Sequence, residues 1–320
     1  MRAAMLRAPG LRATLLALVV LAGGCASNEA NRLYFLESRP DKELGATFAG
    51  LPLRDGQVVV SEGPGAYSFL FSLGTEGYSN FTHAGVIAVD GGVPYVYEMT
   101  GEYKAGWDER PTDGIEGECR RLPFLDYASA YLYLEVFDPP PGVDGKKVAD
   151  WARARLADKT PFDPYFDYSE HQKLFCTEFV QLALEAGSAP PKELVQVRRH
   201  PELQRMLEWF QVARDKSLPA GLFVDPPRLR AALGMLPTRT AAYCYFAAKA
   251  EIHRRFQDDQ RLGNVFQMDG FADVDLRPSV RGFLSKAVRL FPISDKRYPP
   301  EEIEARVRKL ADELFGVAAG

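Results

Sequence analysis

The sequence predicts an α+β fold, and three observations carry that expectation. Two apolar segments flank a glycine turn near residue 91, an apolar helix pattern opens at Phe175-Cys176, and beyond Gly187 the chain reads as helix after helix. Val58-Val59-Val60 after Asp55-Gly56 reads as a short strand, and Ala84 to Val89, apolar on both faces, as a buried one. Asp90-Gly91 is a two-residue turn signal, with Val93 to Tyr97 as the returning partner. If Val89 then faces Gly92, counting outward sets His83 opposite Glu98. Tyr131 to Phe137 reads as a further strand and Lys146 to Leu156 as a helix. A loop holding Pro161 and Pro164 leads into a helix whose apolar face is Phe175, Phe179, Leu182 and Ala186, stopped at Gly187 by C-terminal glycine.

Residues 188–320 are expected to form a helical appendage. Leu203, Met206, Leu207, Phe210 and Ala213 share one helical face, as do Val280, Phe283, Leu284, Ala287 and Phe291. A last stripe, Ile303, Val307, Leu310 and Leu314, follows Pro299-Pro300-Glu301-Glu302, which suits a helix N-terminus. Stripes of this kind are core faces.

The first residues read as a targeting segment. Arg2, Arg7 and Arg12 precede an uncharged run from Ala13 to Ala22, long enough for a signal h-region and too short to span a bilayer. Leu21-Ala22-Gly23-Gly24-Cys25 resembles a lipobox, which implies cleavage after residue 24 and acylation of Cys25. Ala26 stands where Asp would resemble an inner-membrane retention signal, so a lipid anchor in the outer membrane, facing the periplasm, is expected. Residues 25–50 then serve as lipidated N-terminus and tether, and 51–187 as the body. Losing Arg2, Arg7 and Arg12 takes the net charge from −4 to −7, which argues against nucleic acid as a partner. With Cys25 acylated, three cysteines remain, and once Cys176 has a role Cys119 and Cys244 are left as a pair able to bridge.

A thiol nucleophile needs a base in hydrogen-bonding reach, a group that orients the base, and surroundings that favour thiolate. Cys176 opens an apolar helix, where macrodipole and free amides favour a thiolate and its own N–H can donate to an oxyanion. His83 enters the buried strand beside Gly85, and Glu98 lies across from it as the orienting carboxylate. His171 is a rival base by proximity, but it sits in a polar loop beside Glu170. No Cys, His or carboxylate cluster has metal-ligand spacing, and no phosphate loop, dinucleotide fingerprint or nucleophile elbow is present. No cofactor is expected.

Thr82-His83-Ala84-Gly85-Val86-Ile87, Tyr97-Glu98, Phe162-Asp163-Pro164-Tyr165-Phe166 and Phe175-Cys176-Thr177-Glu178-Phe179 resemble, in this order, the motifs of the YiiX/YebB group. That group belongs to the circularly permuted papain-like fold, shared with lecithin:retinol acyltransferase-type enzymes and related to NlpC-type cell-wall peptidases. The resemblance spans 51–187 and implies an antiparallel sheet with a cysteine-bearing helix, Cys176 as nucleophile, His83 as base and Glu98 as orienting residue. The chain departs from the pattern at Gln57, where Asp is usual, and at Phe162, where Tyr is usual; the appendage lies outside the common core.

The implied activity is acyl transfer by a membrane-anchored cysteine hydrolase, on an amide in a murein stem peptide or other peptide. A lipid acyl hydrolase or acyltransferase is the alternative, and a non-catalytic ligand-binding lipoprotein a third reading. The intact Cys176, His83 and Glu98 set favours catalysis, while the lining of the cleft decides between a peptide, a peptidoglycan fragment and a lipid substrate.

Overall fold

The computed structural model describes residues 35–38, 47–48, 51–103, 115–212, 214–258, 264–269, 273–294 and 296–317. The expected signal segment 1–24 and the acylation site Cys25 lie outside the described residues. The fold is α+β, built on a seven-stranded antiparallel sheet. Its strands are β1 (Phe35–Ser38), β2 (Val58–Glu62), β3 (His83–Asp90), β4 (Val93–Tyr103), β5 (Ile115–Pro123), β6 (Tyr133–Phe137) and β7 (Leu229–Gly234). They lie in the order β1-β7-β6-β2-β3-β4-β5. The described helices are α1 (Ala66–Leu73), α2 (Phe124–Ser129), α3 (Gly145–Ala157), α4 (Cys176–Ala186), α5 (Pro201–Trp209), α6 (Arg239–Asp258), α7 (Pro278–Ala287) and α8 (Pro300–Phe315).

Alternation along the central strands explains why both faces of the sheet are covered. Val58, Val60, Ala84, Val86, Ala88, Tyr97 and Met99 face one core, which takes in Val148, Ala149 and Ala152 of α3 and Phe179, Val180 and Ala183 of α4. Val59, Ile87, Val96, Leu134 and Val136 face the other, against Phe124, Tyr127 and Ala128 of α2. The strands 58–62, 83–90 and 133–137 and the helices 145–157 and 176–186 therefore stand close to where the sequence puts them.

The turn between β3 and β4 corrects the expected register. Asp90 pairs with Val93 and Val89 with Pro94, so the two loop residues are Gly91 and Gly92, with φ of 58° and 84°. Both angles are positive, as a type I′ turn demands, and glycine adopts them without a Cβ penalty. Carried outward, this register sets Glu98 opposite Gly85 rather than His83. A shift of two residues leaves every side chain on its face, so Glu98 becomes the diagonal neighbour of His83 and stays within reach.

Residues 188–320 are not wholly helical, and the expected appendage is corrected on that point. Leu229–Gly234 is β7, inserted between β1 and β6 through pairings such as Leu233↔Leu134 and Ala232↔Glu37. The helix expected to run to residue 213 ends at Trp209, with Gln211 in the left-handed region at φ 52°. The later stripes do pack inward: Val280, Phe283, Ala287, Ile303 and Val307 are buried, whereas Leu314 is exposed. Gly187 ends α4 for a different reason from the one expected. Its φ is −81°, and a Cβ there would lie 2.6 Å from Val148 Cγ2, so α3 packs against it. The left-handed residue is Ser188, at φ 80°. The expected Cys119–Cys244 bridge is also corrected, since both are separate buried thiols. Cys119 lies on β5 opposite Met99, whereas Cys244 lies in α6. Burial pushes the first up to about 12 and the second to about 11, leaving both inert.

Candidate active site

Cys176 is the first residue of α4, so its N–H lies among the amides that have no partner within the helix. His83 is the first residue of β3 and pairs with Ser61 of β2. The start of the helix and the start of the strand meet at one cavity of about 220 Å3, lined by both residues. The His83 ring is within hydrogen-bonding reach of the Cys176 side chain. His83 Nε2 meets Glu98 Oε2 at 2.5 Å, which leaves Nδ1 as the ring nitrogen not engaged by Glu98. The three residues singled out in the sequence thus come together, with His83 bonded to Glu98 and sharing the cavity with Cys176.

Glu98 is fully buried and accepts a second bond from Arg120 Nε, at 2.8 Å. Arg120 stands directly opposite Glu98 on β5, so the pair follows from strand register. Burial works against the Glu98 carboxylate, but His83 and Arg120 outweigh it and hold its pKa below the ordinary value. Burial likewise opposes the His83 imidazolium, while electrostatic interaction with Tyr131, Cys176 and Glu98 prevails and raises the ring well above its ordinary value. Burial also raises Tyr131, keeping it a neutral phenol near pH 7, so Glu98 is the ionised neighbour that raises the ring there.

Two tyrosines that the sequence reading passed over complete the surroundings. The Tyr131 ring lies parallel to His83, with centroids 5.6 Å and planes 13° apart, and Tyr127 packs on Tyr131 at 4.7 Å. Tyr127 is anchored by a 2.8 Å bond between its hydroxyl and Ser61 Oγ. The spacing of Tyr127 and Tyr131 at i and i+4 is the one signal that could have grouped them.

The cavity is mostly apolar. Phe71, Phe81, Phe162, Phe166 and Phe175 line it with Met99, and Ser217 to Ala220 close it from beyond residue 187. The Phe162–Phe166 motif is therefore a cavity wall. Asp163 holds that loop by accepting from the backbone N–H groups of Tyr165 at 2.9 Å and Asp167 at 2.6 Å.

His171, the rival base, is half-exposed in its polar loop and is bonded to a different carboxyl. Its Nδ1 lies 2.6 Å from Glu178 Oε1, and Glu178 is fully buried in the first turn of α4. Burial, helped by Asp163, Asp167 and Glu170 and opposed by the Phe175 N–H, pushes Glu178 up to about 9. That shift favours the protonated form of Glu178 at neutral pH. Among the described residues no group of three or more His, Cys, Asp or Glu is placed to hold a metal ion.

No family model matches the chain, and no curated protein does. Among solved structures it is similar to the crystal structure of the metalloprotein YiiX from Escherichia coli O157:H7. Identity is 17%, covering 56% of this chain and 95% of that one, with a TM-score of 0.43.

Proposed function

We propose that the protein is a cysteine hydrolase with a circularly permuted papain-like core, which transfers an acyl group to water through Cys176. The observation that carries this reading is the meeting of Cys176 and His83 at one cavity, with Glu98 bonded to the His83 ring. In the forward step the Cys176 thiolate attacks the carbonyl carbon and forms the C–S bond, while the Cys176 N–H donates to the oxyanion. His83 gives its Nδ1 proton to the leaving nitrogen or oxygen as that bond breaks. Water then attacks the thioester, His83 takes its proton, and the C–S bond breaks. Glu98 holds the ring and stabilises the imidazolium throughout.

Of the substrates weighed from the sequence, the aromatic lining favours an apolar acyl group over a polar murein peptide. At about 220 Å3 the cavity is below the roughly 300 Å3 at which small-molecule pockets begin. It takes one part of a substrate and leaves the rest outside. The test is hydrolysis of p-nitrophenyl octanoate by full-length protein, with intact mass measured during turnover. An octanoyl adduct on Cys176, and loss of turnover by about 10⁴-fold or more in Cys176→Ala, are expected. Turnover that survives in Cys176→Ala overturns the reading.

The same proposal places the protein at the envelope, anchored through acylated Cys25, because the run before Cys25 has the charge, length and small residues of a lipobox. Radiolabelled palmitate is expected in the wild type and absent from Cys25→Ser. Equal labelling of the two removes the anchor from the proposal. Among the described residues no helix is long and apolar enough to cross a membrane.

A further inference from the structure

Beside the Cys176 cavity lies a buried ion pair that the chemistry above does not use. Glu62, the last residue of β2, and Lys249 of α6 are 0% and 1% exposed, and their charged atoms are 2.7 Å apart. The same Glu62 oxygen accepts from Ser68 Oγ at 2.6 Å and from the Tyr245 hydroxyl at 2.8 Å; the other accepts from Thr82 Oγ1 at 3.3 Å. Lys249 Nζ also donates to Ser68 Oγ at 3.1 Å and to the Asn80 carbonyl at 3.3 Å. Among the described residues Tyr78 also interacts with Glu62. Burial first, and Glu62 second, push both Tyr78 and Tyr245 well above the ordinary value, so both face the pair as neutral phenols.

A buried pair of this kind contributes little net stability, because desolvation offsets the attraction, and apolar replacements are often no worse. What sets this one apart is the segment it grips. Asn80 and Thr82 immediately precede His83, Thr82 lines the cavity, and the Thr82 N–H donates to Ser61 O at 3.0 Å. Ser61 in turn pairs with His83. The three residues that bring the chain to His83 are thus tied down by Glu62 and its neighbour from one side and by Lys249 from the other.

We propose that Lys249 is a positioning residue for the Cys176 site: from a helix beyond residue 187 it holds Glu62 and the Asn80–Thr82 segment, and through them the His83 ring against Cys176. The inference rests on the reading of Cys176 as nucleophile and His83 as its base. Together with Ser217 to Ala220 in the cavity wall, it gives the C-terminal region a part in the active site.

The test follows iodoacetamide alkylation of Cys176 across neutral pH by mass spectrometry, with thermal melts, in full-length protein. Lys249→Met is expected to be alkylated about tenfold or more slowly at neutral pH, with a displaced pH profile, since small misplacements of a catalytic group are costly. The double variant Lys249→Met, Glu62→Gln removes both buried charges and keeps the fold testable if the single variant melts early. It is expected to regain thermal stability without regaining fast alkylation, because the Asn80 carbonyl has still lost its donor. A folded Lys249→Met with the wild-type profile overturns the proposal, and so does a double variant with that profile. His83→Ala separates this failure from a deeper one. If it too keeps the wild-type profile, the reading of the site fails; if it is slow while Lys249→Met is not, only the role of Lys249 is lost.

Discussion

His83 and His171 each meet a fully buried carboxylate, at 2.5 Å and 2.6 Å, and both belong to the surroundings of the first turn of α4. The chemistry of the two pairs is opposite. Glu98 has the Arg120 guanidinium on its second oxygen and is held ionised, so it can orient and stabilise an imidazolium. Among the described residues Glu178 has the Phe175 N–H on its second oxygen and three other acids nearby, and it keeps its proton up to about 9. A carboxyl that keeps its proton does not supply negative charge to the neighbouring ring. The difference lies in one arginine and in the sign of the neighbouring charges, which residue type and proximity do not reveal.

The comparison is broken most directly at Glu98. Glu98→Gln keeps the size of the side chain and removes its charge, leaving Arg120 without its partner. Turnover of p-nitrophenyl octanoate is expected to fall about 10²-fold or more, though less than in Cys176→Ala, because an orienting residue contributes less than the nucleophile. Glu98 is among the charges that raise His83, so its loss lowers the pKa of the ring. In the proposed mechanism the active form pairs a thiolate with an imidazolium, and its alkaline limit is set by loss of the His83 proton. That limb of the kcat/KM profile is therefore expected to move to lower pH. An unchanged rate and an unmoved limb together would remove Glu98 from the site.

What was legible in the sequence, and what was not, follows the same logic of neighbours. Cys176, His83 and Glu98 could be grouped because alternation fixes faces, and the two-residue error in the β3–β4 register preserved the face of Glu98. Arg120 was hidden because β5 carries Gly117 and a run of charged residues, so its pattern does not read as a strand. Lys249 was hidden because a lysine on a helix ordinarily marks a solvated face, and only the tertiary fold buries it on Glu62. Strand β7 is short and follows Pro226-Pro227 in a helix-rich region; its pairing with β1 and β6 is long-range, beyond any local signal. The ends of helices were read too far where a left-handed residue stops them, as at Gln211.

The smallest effect expected is at the other pair, and it concerns stability rather than turnover. In the unfolded chain Glu178 gives up its proton near the ordinary 4.5, whereas the folded protein retains it up to about 9. Over that window the folded state binds more protons than the unfolded one, so raising the pH favours unfolding. The contribution of Glu178 is fully present below about 4.5 and is lost as the pH rises through about 9. Glu178→Gln removes this dependence while keeping a donor for His171 and an acceptor for the Phe175 N–H. Urea denaturation of both proteins at a series of pH values is expected to show the wild type losing stability relative to Glu178→Gln across the window. His171→Ala, on the same grounds, leaves the alkylation profile of Cys176 where it was. Parallel stability curves mean that Glu178 is ionised in the folded protein, which erases the contrast with Glu98; a His171→Ala profile that moves makes His171 a partner of Cys176.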